Sequence, residues 1–249
     1  MRAKFLYWRN IKNVVPHKYM DLQLFKKEGF LFQQWIAYQG LTDFVQMKGH
    51  CYPDLVKVFY TNLRVVNGVI HSRVKGFNIT IDDNLWLDIA GLKVEGLDSH
   101  FLDSESNRWL TKRAICINCL RYPGRLNEDK MSIEDVFLLN AIKTRIPTNW
   151  VAVLKHHMIA AGDDYAHKLP YGVFITKVLE LQGVDVSEEE RRIVCQRSEE
   201  IGIPCLSSIG LKKIVNGWFF IDEQTVRSPP TLDQDHTEDS DDEDSMESS

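Results

Sequence analysis

The stretch RVVNGVIHSRVKGFNITI, residues 64–81, constrains this chain more than any other. β-Branched residues dominate it, and two glycine-containing pairs, Asn67-Gly68 and Lys75-Gly76, interrupt it. Asn-Gly is a hairpin signal because both central positions of such a turn take positive φ. The stretch therefore predicts a small antiparallel β-hairpin sheet of two or three strands at about residues 64–81. Asp82-Asp83 predict a cap for a short helix from Asn84 to Ala90, and Gly91 suits the left-handed position that closes it.

Helical signals surround this sheet. Residues 18–39 mix apolar and polar positions without strand alternation, and they predict helix. Pro53 suits a first helical position, where its missing N–H costs nothing. Leu55, Val56, Phe59, Tyr60 and Leu63 then share one face. Residues 105–121 predict a helix stopped by Pro123-Gly124. Ser132-Ile133-Glu134-Asp135 has the spacing of a capping box and opens a helix to about Arg145. Pro147 and Thr148 start the next helix. Its apolar set is Trp150, Val153, Leu154, His157, Met158 and Ala161, and Gly162 ends it. Pro170 opens another, with Phe174, Ile175, Val178 and Leu181 inward and Gly183 as stop. Ser187 with Glu190 makes a second capping box, opening a polar helix to about Ile201. The type of residues 203–221 is left open. Short loops at 145–149 and 162–170 predict antiparallel packing of neighbouring helices. The fold class expected is mainly α with a small antiparallel β-hairpin sheet, an α+β chain.

Charge divides the chain. Its net charge is −5, but residues 226–249 hold nine acids against the single base Arg227, which leaves residues 1–225 at +3. Residues 1–225 are expected to form one globular domain, and 226–249 a disordered acidic C-terminal tail, since Asp, Glu and Ser there leave almost nothing to bury. A net of +3 is a weak footprint for nucleic acid. Five cysteines, an odd number, favour reduced thiols in an intracellular compartment, nucleus or cytoplasm not distinguished. No secretory signal is expected at the start, and no apolar run long enough for a membrane span occurs.

Catalytic patterns are scarce. Cys116 and Cys119 make half a zinc site at most, and on a helix that spacing places two small apolar side chains on one face. A zinc site would need a histidine such as His156 or His157. His157 on its apolar stripe reads as a packed histidine whose ring nitrogens find local partners. His50-Cys51 are adjacent only in sequence, which supplies no nucleophile–base geometry. Asp82, Asp83 and Asp88 cluster, but metal-dependent strand transfer needs converging carboxylates, and the first two serve better as caps. No phosphate-loop, dinucleotide, nucleophile-elbow or zincin motif occurs. Arg191, Arg192 and Arg197 alternate with glutamates as a solvated face. Lys212 and Lys213 near Trp218 make the best basic–aromatic grouping and are the candidate nucleic-acid-binding residues. No catalytic, cofactor-binding or metal-binding residue is assigned, and no cofactor, small-molecule substrate or membrane partner is expected.

Three stretches also carry a resemblance. They are PDLVKVFYTNL (53–63) followed by VIHSRVKGFNITI (69–81), IEDVFLLNAIKTRIPTNWVAVLKHHM (133–158), and LPYGVFITKVLELQGVDV (169–186). In order and pattern, over about residues 30–186, they resemble the plant family called the putative plant transposon protein domain, found in envelope-like open reading frames of plant retroelements. The resemblance implies a retroelement-derived protein without an active-site set. It acts as a structural or protein-interaction module with a partner that the sequence does not name. The alternative is a nuclear nucleic-acid-binding module of a transposable element, its tail a competing polyanion. Family members carry a further aromatic-rich helical segment before the second stretch, where this chain has only residues 124–131. That difference implies an eroded copy whose remaining helices expose apolar surface.

Overall fold

The computed structural model describes residues 13–98, 132–163, 168–189, 192–193, 199–215 and 217–220. They fall into two compact units that divide between Cys205 and Leu206. The chain has an α+β fold. The first unit opens with strand β1 (Tyr19–Met20), helices α1 (Leu22–Lys27), α2 (Gln33–Tyr38) and α3 (Thr42–Val45), and strand β2 (His50–Cys51). Residues 18–39 are thus two short helices behind a strand rather than one helix. Asp21 accepts from the Gln23 and Leu24 amides to start α1, and Gly29 at φ 84 turns the chain after it.

Helix α4 (Pro53–Thr61) begins on its proline and buries Leu55, Val56, Phe59 and Tyr60. Next comes the sheet of β3 (Arg64–Val66), β4 (Val69–Val74) and β5 (Phe77–Ile81), antiparallel in that order. Asn67 and Gly68, then Lys75 and Gly76, all take positive φ at the two turns, as the hairpin signals require. Ile70, Val74, Ile79 and Ile81 face inward and are buried. Ser72, also inward, donates its hydroxyl to the Phe59 carbonyl at 2.7 Å, so the sheet's one buried polar strand residue is satisfied by α4. Helix α5 (Asp83–Ala90) follows, with Asp82 accepting from the Leu85 amide and Gly91 at φ 68 closing it.

Helix α6 (Ile133–Thr144) carries the capping box in full, with Ser132 accepting from the Asp135 amide and Asp135 accepting from Ser132. Helix α7 (Trp150–Asp163) starts later than Pro147 and Thr148 suggest. The Pro147 carbonyl is taken by the Leu97 amide, and the Asn149 side chain accepts from Ala152 in the first turn. Helix α8 (Gly172–Leu181) is the centre of the unit and packs on α4, α5, β2 and β5. Trp86 of α5 stacks on Phe174 with ring centres 4.3 Å apart. Val173, Phe174, Ile175, Thr176, Val178 and Leu179 are all buried. Leu181, expected inward, is 62% exposed, because burial ends with the turn before it and Leu179 takes the inward place.

The described residues between 187 and 201 do not form the expected polar helix. Strand β6 (Arg192–Ile193) pairs antiparallel with β2, and β7 (Glu200–Ile201) pairs parallel with β1. The capping-box spacing of Ser187 loses to backbone groups on β1 and β2 that need partners, a tertiary demand that local propensity cannot register. Helix α9 (Ile203–Ser208) leads to the hairpin of the second unit, β8 (Leu211–Ile214) and β9 (Gly217–Phe220). Among the described residues no helix is long and apolar enough to cross a membrane. The expected helix at 105–121, the joint at 124–131 and the tail at 226–249 lie outside the described residues.

Candidate functional site: the crossing at Pro170–Gly172 and the β8–β9 hairpin

The predicted site residues within the described set each have a definite place. On the hairpin, Lys213 lies opposite Trp218 and Lys212 opposite Phe219. Opposed residues share a sheet face and neighbours along a strand do not. Lys213 and Trp218 are therefore brought together, and Lys212 sits on the other face with Phe219. His50 is exposed and Cys51 buried, so alternation along β2 separates the pair that sequence adjacency suggested. Asp82 is a helix cap, and Asp83 pairs with Lys155 at 2.7 Å. Asp88 is exposed on α5. Among the described residues no group of three or more His, Cys, Asp or Glu could hold a metal ion; Cys116, Cys119, Arg191 and Arg197 lie outside them.

Residues 170–172 are where separate stretches of the chain meet. The Tyr60 hydroxyl of α4 donates to the Pro170 carbonyl at 2.9 Å. Tyr171 then takes φ 58, a left-handed conformation that a residue with a Cβ holds only when its surroundings enforce it. Gly172 follows, where a Cβ would stand 2.6 Å from Cys51 Sγ and 2.9 Å from Val14 Cγ1. Four residues on, the buried Thr176 hydroxyl accepts from the Tyr52 amide at 3.3 Å. The Tyr171 hydroxyl lies 3.4 Å from His157 Nδ1, and His157 Nε2 lies 3.8 Å from Glu134 Oε1, an oxygen otherwise buried without a partner. Burial pushes the Tyr171 phenol up to about 12, and the Glu134 carboxylate adds to the rise. Burial likewise holds Tyr60 well above its ordinary value, so both phenols stay protonated donors. A tyrosine held this way is a poor nucleophile and a poor base.

Beside Tyr171 opens an apolar cleft of about 310 Å³, reaching from Val15 and His17 past Phe44 and Met47 to Phe174. His17 Nε2 lies 2.7 Å from the Met47 carbonyl, and burial lowers its pKa while that bond opposes the fall.

The family model described as "Putative plant retrotransposon-related domain" matches residues 38–185. The chain belongs to this family. The retrotransposon-related domain thus begins at the end of α2 and closes just after α8. The β8–β9 hairpin with Lys212, Lys213 and Trp218 lies outside that match. No curated protein and no solved structure matches the chain.

Within the retrotransposon-related domain, the stretches that carry the sequence resemblance hold one another. Tyr60 of the first stretch grips Pro170 of the third, and His157 of the second meets Tyr171 of the third. Sequence reasoning missed Gln39, whose amide donates to the Ala141 and Ile146 carbonyls and whose oxygen accepts from Trp150 Nε1. A lone glutamine in a stretch of mixed apolar and polar residues carries no such signal. Tyr171 was also missed, although the Pro-Tyr-Gly run could have flagged a turn.

Proposed function

We propose that this chain is a non-enzymatic structural or protein-interaction module of a plant retroelement, an eroded copy of the retrotransposon-related domain working inside the cell. One observation carries the reading. The stretches by which the family is recognised supply buried tethers and close backbone packing at residues 170–172, and the phenols gathered there are held protonated. Exposed Leu87, Val94 and Leu97 give apolar surface for a protein partner. A second reading, a nuclear nucleic-acid-binding module, draws support from Lys213 and Trp218 standing opposite one another on the hairpin. A cation beside an aromatic face is the pairing that grips a stacked base and its phosphate.

One experiment separates the two. The purified full chain is incubated with duplex DNA and Mg²⁺ or Mn²⁺ across a salt series. The first reading expects no metal-dependent cleavage or strand transfer and no salt-sensitive shift that depends on the hairpin. Cleavage abolished by Asp82→Asn or Asp88→Asn would overturn it. A complex that weakens with salt and disappears in Lys213→Glu/Trp218→Ala would hand the assignment to the second.

A further inference from the structure

The outward face of the β3–β4–β5 sheet is a cationic surface that neither reading uses. Alternation along the strands sends Ile70, Val74, Ile79 and Ile81 into the core and turns Arg64, His71 and Arg73 to solvent. Arg64 lies directly opposite His71 across β3 and β4, and Arg73 lies two residues beyond His71 on the same side. Two guanidiniums on one sheet face repel each other unless something offsets them. Nothing on the sheet does: residues 64–81 contain no carboxylate. The adjoining acids are turned to other partners, Asp185 and Glu188 acting on Lys75 at the β4–β5 turn. Asp82 is occupied with the Leu85 amide, Asp83 with Lys155, and Glu189 with Lys75 at the far turn. Neither Arg64 nor Arg73 has an ion pair or side-chain hydrogen bond among the described residues, and both are exposed. Polar donors complete the face on β5, where Asn78 is exposed and Thr80 Oγ1 lies 3.3 Å from His71 Nδ1.

We infer that this sheet face binds the phosphodiester backbone of a nucleic acid, with Arg64 and Arg73 as its two anchoring groups. Successive outward residues on a strand lie about 6.8 Å apart, so the two guanidiniums and the imidazole form a short ladder rather than a point. The planar guanidinium fork matches phosphate oxygens two at a time, and a face with two arginines uses that geometry where lysines would offer only point charge. Sheets that read single-stranded bases do so with aromatics on the open face. This face has none: Phe77, opposite Val74, belongs to the inward set. The contact is therefore with phosphate and is independent of base sequence.

The test uses the full-length protein and two probes, a mixed-sequence single-stranded RNA 20-mer and a DNA duplex of the same length, titrated at several salt concentrations. Arg64→Gln/Arg73→Gln is expected to weaken binding about tenfold at low salt and to flatten the salt slope by roughly 1.4 on RNA or 1.8 on duplex. Arg64→Lys/Arg73→Lys is expected to restore the slope but only part of the affinity. The two probes show which backbone form fits better. Thermal unfolding of each variant is expected to show an unchanged Tm, and a loss of binding confined to variants with lowered Tm would overturn the inference. The inference is overturned if neither probe binds at low salt. It is also overturned if the Gln variant binds like wild type, or if Lys213→Glu/Trp218→Ala alone removes all binding. Equal binding by a poly-glutamate peptide of matched charge would overturn it too, assigning the face to acidic protein segments.

Discussion

Gln39 illustrates how much one side chain can hold. It is 8% exposed, its amide satisfies two carbonyls at the end of α6, and its oxygen satisfies the indole N–H at the start of α7. Its three bonds use both donors and one acceptor position. Replacing it with leucine keeps the bulk and removes every partner at once. Each buried polar group so abandoned costs about 1–3 kcal/mol. Gln39→Leu is expected to lower unfolding stability by about 3 kcal/mol in urea titration, and a loss below roughly 0.5 kcal/mol would mean that water reaches the site. Arg64 and Arg73 teach a different point at this scale. A net of +3 over residues 1–225 hid them, because an average over the chain cannot report two guanidiniums on one acid-free face.

Among the elements, α8 shows why a motif can be specific without being catalytic. Gly172 begins that helix at a point where Cys51 and Val14 leave no room for a methyl group. Alanine favours helices, yet forcing a Cβ into a filled site costs about 1–3 kcal/mol. Gly172→Ala is therefore expected to destabilise, and Cys51→Ala, which removes the nearer obstacle, to recover part of the loss. A double-mutant cycle by chemical denaturation measures the coupling, and strict additivity would show that the two residues do not compete for space. The elements also mark where local reading succeeds. The β3–β4–β5 sheet, α5 with its Asp82 and Gly91 caps, and α6 with its capping box were legible, because each is specified by turn and cap residues within a few positions. Residues 187–201 were not, because the partners of β6 and β7 lie on β2 and β1, more than a hundred residues away.

For the molecule as a whole, the buried phenols Tyr60 and Tyr171 tie stability to alkaline pH. Their folded pKa values lie above the ordinary 10, with Tyr171 at about 12. A raised pKa means that the folded state keeps the proton longer than the unfolded state does. The contribution is thus complete below pH 10 and is lost as pH rises from there through about 12. Urea midpoints are expected to hold steady up to pH 10 and then fall, and Tyr171→Phe is expected to reduce that fall without abolishing it, since Tyr60 remains. Midpoints of wild type and Tyr171→Phe that decline in parallel would show that the Tyr171 phenol is not the linked group. His17 acts at the other end of the scale. Burial lowers its pKa from 6.5, so its contribution is complete above that value and fades as pH falls through the folded-state value.

From the order of residues alone came the sheet and its turns, the starts of α4, α5 and α6, and the plant retroelement family. All of these are encoded in neighbouring residues or in an ordered pattern of short stretches. Tertiary structure alone decided that the crossing at 170–172 locks separate stretches together, that Lys213 and not Lys212 shares a face with Trp218, and that Gln39 holds three partners. Those facts depend on which distant groups meet in space. Hydrogen bonds and steric exclusion act over a few ångströms, a scale on which separation along the chain carries no information.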